Sequence, residues 1–515
     1  MVGAENWQAA RSRHYFHMLQ LNSYRNERYA AWLSKNAPRL WFFAGLPAAV
    51  ATAVALTMGL PGMLAAAFGY ALAAVYTLCA KKPEKKPFVV TDRVKRQFLA
   101  AAGLLLAALL LTALVWRAAP YWGAGLLLLF VTLPVPVGLP PAANRLMAGR
   151  ERRIADSFVR SAQQKLQSQR DFIVIGVTGS YGKTSVKYIL SELLREKYNT
   201  LMTPESYNTT MGVVRTVNEQ LRPQHQVFVC EMGARQVGDI KEICDIVHPK
   251  HGIITSVGPM HIESFKTIEN VQKTKFELAD AIPSDGMLFL NFDCDIIRDA
   301  NHPHPAVHYG IDDHSGYYVS GLKISEKGSE FRVTAPSGES CDYKTPLIGR
   351  HNVLNICGAI AVANSLRISL EELRPAVRRL ESVPHRLQLI NRGDYTVIDD
   401  AYNSNPSGAK AALETLSMAE GMKILVTPGM IELGGMEYEL NREFGEEAAA
   451  VCDYVALVGE KQTKPIADGL LSAGYPENKL FVAQSLDEAM KKVYSIESGG
   501  RRKIILLEND LPDNY

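Results

Sequence analysis

Residues 172–185 read Phe-Ile-Val-Ile-Gly-Val-Thr-Gly-Ser-Tyr-Gly-Lys-Thr-Ser, an apolar run that leads into a glycine-rich turn and a lysine. Residues 186–194 follow a helical pattern, so the stretch predicts a strand, a phosphate-binding loop and a helix. The strict GxxxxGKS/T spacing fails because Val177 stands where the first glycine belongs, which leaves a chance glycine turn as the alternative. We expect nucleotide phosphates to be bound by Gly179, Ser180, Gly182, Lys183, Thr184 and Ser185.

Two further strand patterns end in residues that could bind a metal ion. Glu231 closes the buried run 227–230, and His261 follows the run 253–257. The carboxyl ends of parallel strands are where open α/β sheets bind ligands, so Glu231 is a candidate Mg²⁺ ligand beside the Thr184 hydroxyl. A helix-capping glutamate and an ordinary loop histidine are the alternatives for Glu231 and His261.

The composition excludes several classes of protein. The 515 residues carry 56 Lys and Arg against 53 Asp and Glu, so a nucleic-acid partner is not expected. With 47% hydrophobic and 21% charged residues the chain is not disordered as a whole. The seven cysteines show no CxxC spacing, which argues against a zinc site or a disulfide framework.

The first 150 residues predict a membrane region. Residues 40–80 are almost continuously apolar and break at 59–62, which suggests two spans, and residues 98–116 and 121–139 suggest a third and a fourth. Basic residues flank the spans on one side, so both ends are expected in the cytoplasm. The sequence therefore predicts a multi-pass protein of the cell membrane whose catalytic domains face the cytoplasm.

The remainder of the chain predicts two α/β domains. Strand patterns alternate with helical patterns in 382–515, as in a Rossmann-like parallel sheet, and 317–345 reads as a β-hairpin insert. The predicted fold is thus a four-helix transmembrane region (1–150), a P-loop central ATPase domain (151–381) and a Rossmann-like C-terminal domain (382–515).

The order of several short motifs resembles that of the Mur ligases, the ATP-dependent amide-forming enzymes of peptidoglycan assembly. Residues 399–406, Asp-Asp-Ala-Tyr-Asn-Ser-Asn-Pro, are similar to the MurF branch, which joins D-alanyl-D-alanine to a UDP-MurNAc-tripeptide. The resemblance covers about residues 170–515. The segments that carry it are 176–185, 231–234, 256–263, 275–277, 349–355, 384–386, 399–406 and 429–434.

The resemblance implies ATP and two Mg²⁺ ions as cofactors. It implies catalytic roles for Lys183, Glu231, His261 and Lys275, and metal binding by Thr184, Glu231, His261 and Lys275, the last as a carbamylated lysine. Lys273 is the competing candidate for carbamylation, two residues away on another helix face. Nucleotide contacts are implied for Asn355, Arg386 and Asp400, and substrate contacts for Asn208, Thr209, Tyr402, Asn403 and Asn405.

Two departures from the family pattern concern the acceptor. The usual UDP-sugar-binding domain is replaced by the predicted spans, and the C-terminal residues 506–515 lack the expected Lys-Gly-Ser ending. The predicted function is an ATP-dependent carboxylate–amine ligase that acts through an acyl phosphate. It would add D-Ala-D-Ala or a similar amino donor to a cell-wall-precursor-type acceptor at the membrane, and we also consider a lipid-linked form of that acceptor. The alternatives are a poly-γ-glutamate-type or other amino-acid ligase of the same superfamily, and an ATP-driven membrane transporter.

Overall fold

The computed structural model describes residues 13–22, 24–40, 88–118, 135–260, 262–302, 304–325, 327–401, 404–431 and 433–509. The chain forms two compact units, one within residues 1–156 together with 512–515 and the other comprising 157–511. The helix Val135–Gln167 runs through the boundary between them.

The described residues of the N-terminal unit are mostly helical and include residues 13–21 and the helices Asn26–Leu40 and Asp92–Ala118. Aromatic side chains form its core, with Phe16 and Phe98 at 4.6 Å between ring centroids. A buried hydrogen bond of 2.9 Å joins Gln97 to Asn144. Polar as well as apolar contacts therefore hold these helices together.

The predicted four-helix transmembrane region, with its membrane localisation, is contradicted. Over the described ranges, no helix combines the length and the apolar character that a membrane crossing requires. The predicted third span, 98–116, lies within Asp92–Ala118, whose first turns are charged, and Arg96 pairs there with Glu151 at 2.6 Å. Almost all of the first two predicted spans, and most of the fourth, lie outside the described residues.

The larger unit begins with a nine-stranded sheet in the order β2-β3-β1-β4-β5-β6-β7-β8-β9. Neighbouring strands are parallel up to β7, and β8 and β9 then extend the sheet antiparallel. The predicted β-insert is present as three strands instead of two. The strands are β1 Ile173–Thr178, β2 Thr200–Met202, β3 Val227–Glu231, β4 His251–Ile254, β5 Met287–Asn291, β6 Ala306–Gly310, β7 Tyr317–Ser325, β8 Gly328–Thr334 and β9 Ser340–Thr345.

The central strands of this sheet are buried on both faces because helices cover each side, which is why they are continuous apolar runs in the sequence. The chain places β3 on one side of β1 and β4 on the other, so the strand order reverses beside β1. Ligands bind open α/β sheets at such a switch point. The covering helices are Lys183–Leu194, Thr210–Gln220, Asp239–Val247, Ile262–Phe265, Ile268–Ala281, Asp295–Arg298, Arg350–Ser365 and Leu370–Arg378.

A second, six-stranded sheet has the order β10-β11-β15-β12-β13-β14 and is parallel except for β10. Two apolar clusters, one on each face, form its core. The prediction of two successive α/β domains is therefore confirmed. The strands are β10 Gln388–Arg392, β11 Tyr395–Asp400, β12 Met422–Thr427, β13 Tyr454–Val458, β14 Leu480–Ala483 and β15 Lys503–Glu508, and the helices are Pro406–Met418, Glu437–Val451, Glu460–Ser472 and Leu486–Ser495.

Candidate functional site

The loop after β1 is shaped by two glycines with positive φ, 152° at Gly179 and 79° at Gly182. A Cβ atom on Gly179 would lie 2.1 Å from Thr255 Oγ1, and one on Gly182 would lie 2.8 Å from Asn355 Oδ1. Both positions therefore need glycine for space as well as for conformation. The amide of Asn355, implied as an adenine contact, faces this loop.

We predict that Gly179→Ala lowers the free energy of unfolding by about 1–3 kcal/mol, because alanine there meets both a strained φ and a neighbouring hydroxyl. Gly238→Ala is the matched control, since Gly238 has a φ of 95° with open space around it. Urea unfolding monitored by circular dichroism compares the two variants. Equal losses would show that the packing against Thr255 has no cost.

Hydrogen bonds tie the same loop to the segment that follows β4. The Ser180 amide donates to the Ser256 carbonyl at 2.8 Å, and the Tyr181 amide donates to Ser256 Oγ at 2.7 Å. The Tyr181 hydroxyl donates to the Pro259 carbonyl at 3.1 Å, with its ring against Gly258. These hydrogen bonds fix the loop against the segment that follows β4. His261, which follows this segment, lies outside the described residues.

Lys183 is folded onto its own loop. Its Nζ donates to the carbonyls of Gly179 at 2.6 Å and Ser180 at 3.0 Å. Burial lowers the pKa of Lys183 to about 8, an effect that Glu231 opposes and Arg386 strengthens. The side chain is therefore still mainly a cation at pH 7, at the position where a P-loop lysine binds phosphate. Ser185 lies in the first turn of the helix that Lys183 begins.

Glu231 is the buried centre of the site, with 1% of its surface exposed. Its Oε1 accepts hydrogen bonds from Thr184 Oγ1 at 3.1 Å and from Asn208 Nδ2 at 2.9 Å. Its Oε2 lies 3.0 Å from Lys187 Nζ. These contacts are with side chains, unlike those of a helix-capping glutamate, and they bring the predicted substrate residue Asn208 to the phosphate loop.

The charge on Glu231 is set by its neighbours. Burial by itself would raise the pKa of this carboxyl, but the ammonium groups of Lys187 and Lys183, with the Asn208 hydrogen bond, lower it below its usual value. Glu231 is thus a carboxylate at neutral pH. A buried carboxylate beside a hydroxyl offers the oxygen ligands that suit Mg²⁺. Within the described ranges, His, Cys, Asp and Glu form no group of three or more that could hold a metal ion.

Lys275 is 3% exposed, whereas Lys273 is exposed to solvent. Burial lowers the pKa of Lys275 well below its usual range, the Lys183 charge lowers it further, and Glu277 and Asp239 act in the opposite direction. An uncharged amine is the form that reacts with CO₂. The geometry thus favours Lys275 over Lys273 as the candidate for carbamylation.

In the C-terminal domain, Asp400 and Glu508 are paired across β11 and β15. Burial raises the pKa of Asp400 to about 6, against the effect of Arg386. Burial and the Asp400 charge raise the pKa of Glu508 well above its usual value. Ser404 Oγ donates to Glu508 Oε1 at 2.5 Å. Charging both carboxyls at once is therefore unfavourable, and the pKa of each is raised.

We predict that Glu508→Gln raises the melting temperature at pH 8 by a few degrees relative to the native chain, and that the gain disappears at pH 5. A carboxyl with a raised folded-state pKa stabilises the fold at low pH and loses that stabilisation as the pH rises through this pKa. Differential scanning calorimetry measures the difference. The exposed Glu477→Gln is the control and should shift the melting temperature equally at both pH values.

Two of the predicted substrate residues cap helices. Thr209 Oγ1 accepts the Gly212 amide at 3.3 Å, and Asn405 Oδ1 accepts the Gly408 amide at 2.8 Å. Each side chain therefore has a local structural role. Tyr402 and Asn403 lie outside the described residues, so the donor site predicted there is described only at Asn405.

The sequence reasoning missed Lys187 and Glu508. Lys187 lies four residues after Lys183 on the same helix, and that spacing was the available signal that both face one site. Glu508 gave no local signal, because its partner Asp400 lies on a strand distant in sequence. Arg386 affects the pKa values of both Lys183 and Asp400, so its charge acts on both domains.

Comparison with known families gives two matches that together span more than half of the chain. Residues 177–363 match the model of the Mur ligase middle domain. Residues 385–507 match that of the Mur ligase, glutamate ligase domain. The predicted resemblance is therefore confirmed over both α/β domains.

The individual relatives compared are named as ligases of one kind. The chain is 29% identical over 401 residues to the UDP-N-acetylmuramoyl-tripeptide–D-alanyl-D-alanine ligase of Escherichia coli K12, covering 75% of this chain and 84% of the relative. It is 30% identical to the Bacillus subtilis 168 protein of that name, but spans only 59% of it, with 53% of this chain covered. The crystal structure of MurF from Acinetobacter baumannii aligns with a TM-score of 0.64 and 26% identity, over 70% of this chain and 78% of that one.

Proposed function

This chain belongs to the Mur ligase family, and from that premise we propose that it joins D-alanyl-D-alanine to a UDP-MurNAc-tripeptide with ATP. The observation that carries the proposal is the cluster of Lys183, Thr184 and Glu231 at the carboxyl ends of β1 and β3. A cation, a hydroxyl and a carboxylate at this edge of the sheet support the proposal, because these are the groups with which P-loop enzymes handle the γ-phosphate.

The proposed reaction has two steps. A carboxylate oxygen of the acceptor attacks the γ-phosphorus of ATP, the bond to the β-phosphate oxygen breaks, and an acyl phosphate and ADP result. The donor amine then attacks the acyl carbon, and a tetrahedral intermediate collapses to the amide with release of inorganic phosphate and a proton. Lys183 would offset negative charge on the transferring phosphoryl group.

Glu231 and Thr184, with His261 as a further predicted ligand, are the residues that would hold Mg²⁺. The ion would supply positive charge next to the phosphate oxygens. The hydrogen bond between Thr184 and Glu231 fits this assignment, because it brings together two oxygen atoms that could both be ligands of the ion. The lowered pKa of Glu231 keeps its carboxylate charged and able to bind a cation.

Lys275 is proposed as the carbamylated residue. Its uncharged Nζ would attack the carbon of CO₂ to form an N–C bond, and loss of a proton would leave an anionic carbamate. The change replaces an amine by two oxygen ligands, which suits a site that binds Mg²⁺. Burial of Lys275 and its lowered pKa support this reaction.

The acceptor proposed here is the nucleotide-linked peptide. The hypothesis of a lipid-linked acceptor rested on the predicted spans, and no described helix is long and apolar enough to cross a membrane. The names of the relatives support the tripeptide acceptor and the dipeptide donor instead. The family matches are to ligase domains and give the transporter alternative no support.

The proposal is tested with the purified full-length chain, ATP, Mg²⁺, bicarbonate and UDP-MurNAc-tripeptide. With D-Ala-D-Ala as donor, mass spectrometry should show a product heavier by the dipeptide less one water, together with one ADP per product. L-glutamate as the only donor tests the poly-γ-glutamate-type alternative. Ligation of glutamate but not of the dipeptide would reject the proposed donor, and no ADP release with any donor would reject the ligase function.

A further inference from the structure

Lys187 is a fully buried lysine that the proposed chemistry does not use. It lies one helical turn after Lys183 and has 0% of its surface exposed. Its Nζ contacts Glu231 Oε2 at 3.0 Å and donates a hydrogen bond to the backbone carbonyl of Glu205. A single ammonium therefore joins the carboxylate of the phosphate site to a different segment of the chain.

That segment, residues 203–208, contacts Glu231 from two more positions. The Glu231 amide donates to Thr203 Oγ1 at 3.1 Å, and Asn208 Nδ2 donates to Glu231 Oε1 at 2.9 Å. The Gly233 amide donates to the Asn208 carbonyl at 2.7 Å, and a Cβ atom on Gly233 would lie 2.7 Å from Asn208 Cγ. The segment is thus packed closely along the end of β3.

The backbone of this segment is held in an unusual conformation at the residue that Lys187 binds. Glu205 has a φ of 41°, which non-glycine residues adopt rarely. Its side chain is exposed, so the buried contact is made by its carbonyl, with Lys187 as the donor. Without the hydrogen bond from Lys187, the positive φ of Glu205 would be less stable.

We propose that Lys187 is a positioning residue that couples the phosphate loop to residues 203–208. It binds one oxygen of Glu231, which leaves Oε1 directed at Thr184, and it fixes the backbone of Glu205 with the same ammonium. Nucleotide binding at Lys183 and Thr184 then stabilises residues 203–208 through the shared helix and Glu231. One consequence rests on the proposed function: ATP binding would order residues 203–208 so that they can receive the acceptor.

Hydrogen–deuterium exchange of the full-length chain, with and without ADP and Mg²⁺, tests this coupling. In the native chain, ADP should slow exchange of the amides in 204–208. In Lys187→Met, ADP should still bind within about threefold of its native affinity. The factor by which ADP slows amide exchange in 204–208 should fall at least tenfold. Lys187→Arg should restore part of the effect because it retains the charge. The exposed Lys241→Met is the matched control and should behave as the native chain.

ADP protection of residues 204–208 that persists in Lys187→Met would overturn the inference. If that variant fails to fold because Glu231 loses its buried partner, Lys187→Gln provides the decision, since its amide is uncharged and one atom shorter than the lysine side chain and cannot keep both the Glu231 and the Glu205 contact. Lost protection in Lys187→Gln supports the coupling, and retained protection rejects it. The assay needs no ligation, so ADP-dependent protection without any ligase activity would reject the proposed function alone.

Discussion

Lys183→Ala is expected to lower kcat/KM for ATP-dependent ligation by about 10³-fold or more, while the melting temperature changes little. Lys183 is the cation of the proposed phosphate loop, and its Nζ donates to the carbonyls of Gly179 and Ser180, which phosphate oxygens would replace on nucleotide binding. Removing a group that neutralises charge in the transition state typically costs 10²–10³-fold or more. A coupled assay for ADP release measures the loss.

The control is Lys197→Ala, which removes an exposed lysine beyond the end of the same helix. It should ligate within about twofold of the native chain. A Lys183→Ala variant that keeps more than a tenth of native activity would show that this loop is not where the γ-phosphate is transferred. The assignment of Thr184 and Glu231 to the same site would then lose its main support.

Lys275→Ala is expected to reduce ligation by about 10²–10³-fold and to abolish its dependence on bicarbonate. Lys275 is buried and its pKa is lowered, so it can react with CO₂, whereas Lys273 is exposed. Carbon-13 NMR with labelled bicarbonate should show a carbamate carbon in the native chain. Lys273→Ala should retain both the resonance and the activity. A carbamate signal that survives in Lys275→Ala but not in Lys273→Ala would reverse the assignment.

Much of the phosphate site could be predicted because its signals are local. The apolar run, the glycines and Lys183 are contiguous, so strand, loop and helix follow from short-range patterns. The position of Glu231 at a strand end was also predictable, since carboxyl ends of parallel strands meet at one edge of the sheet. The two α/β domains followed from the alternation of strand and helix patterns.

The partners of these residues could not be predicted in the same way. The pairing of Asp400 with Glu508 depends on the register of two strands far apart in sequence. The contact of Lys187 with Glu205 depends on a loop conformation with a positive φ at a residue that is not glycine. Tertiary packing sets both, and no periodicity in the sequence encodes it.

The membrane prediction failed because it was based on the lengths of apolar runs and on the basic residues that flank them. Residues 98–116 form part of a helix, as their pattern suggested, but that helix begins at Asp92 with charged turns. Arg93 lies over the Tyr24 ring at 3.9 Å, and Val94 is completely buried. The start of this helix therefore packs against other parts of the N-terminal unit. Apolar runs in a sequence do not reveal such packing.

The central claim, that the acceptor carboxylate is activated as an acyl phosphate, is tested most directly with ¹⁸O. UDP-MurNAc-tripeptide labelled with ¹⁸O in its reacting carboxyl group is incubated with the full-length chain, ATP, Mg²⁺ and D-Ala-D-Ala. We expect inorganic phosphate that carries one ¹⁸O atom for each amide formed, because the oxygen that attacks phosphorus leaves with it. Amide formation with unlabelled phosphate would contradict the account, since the carboxylate oxygen would then never have been bonded to the γ-phosphorus.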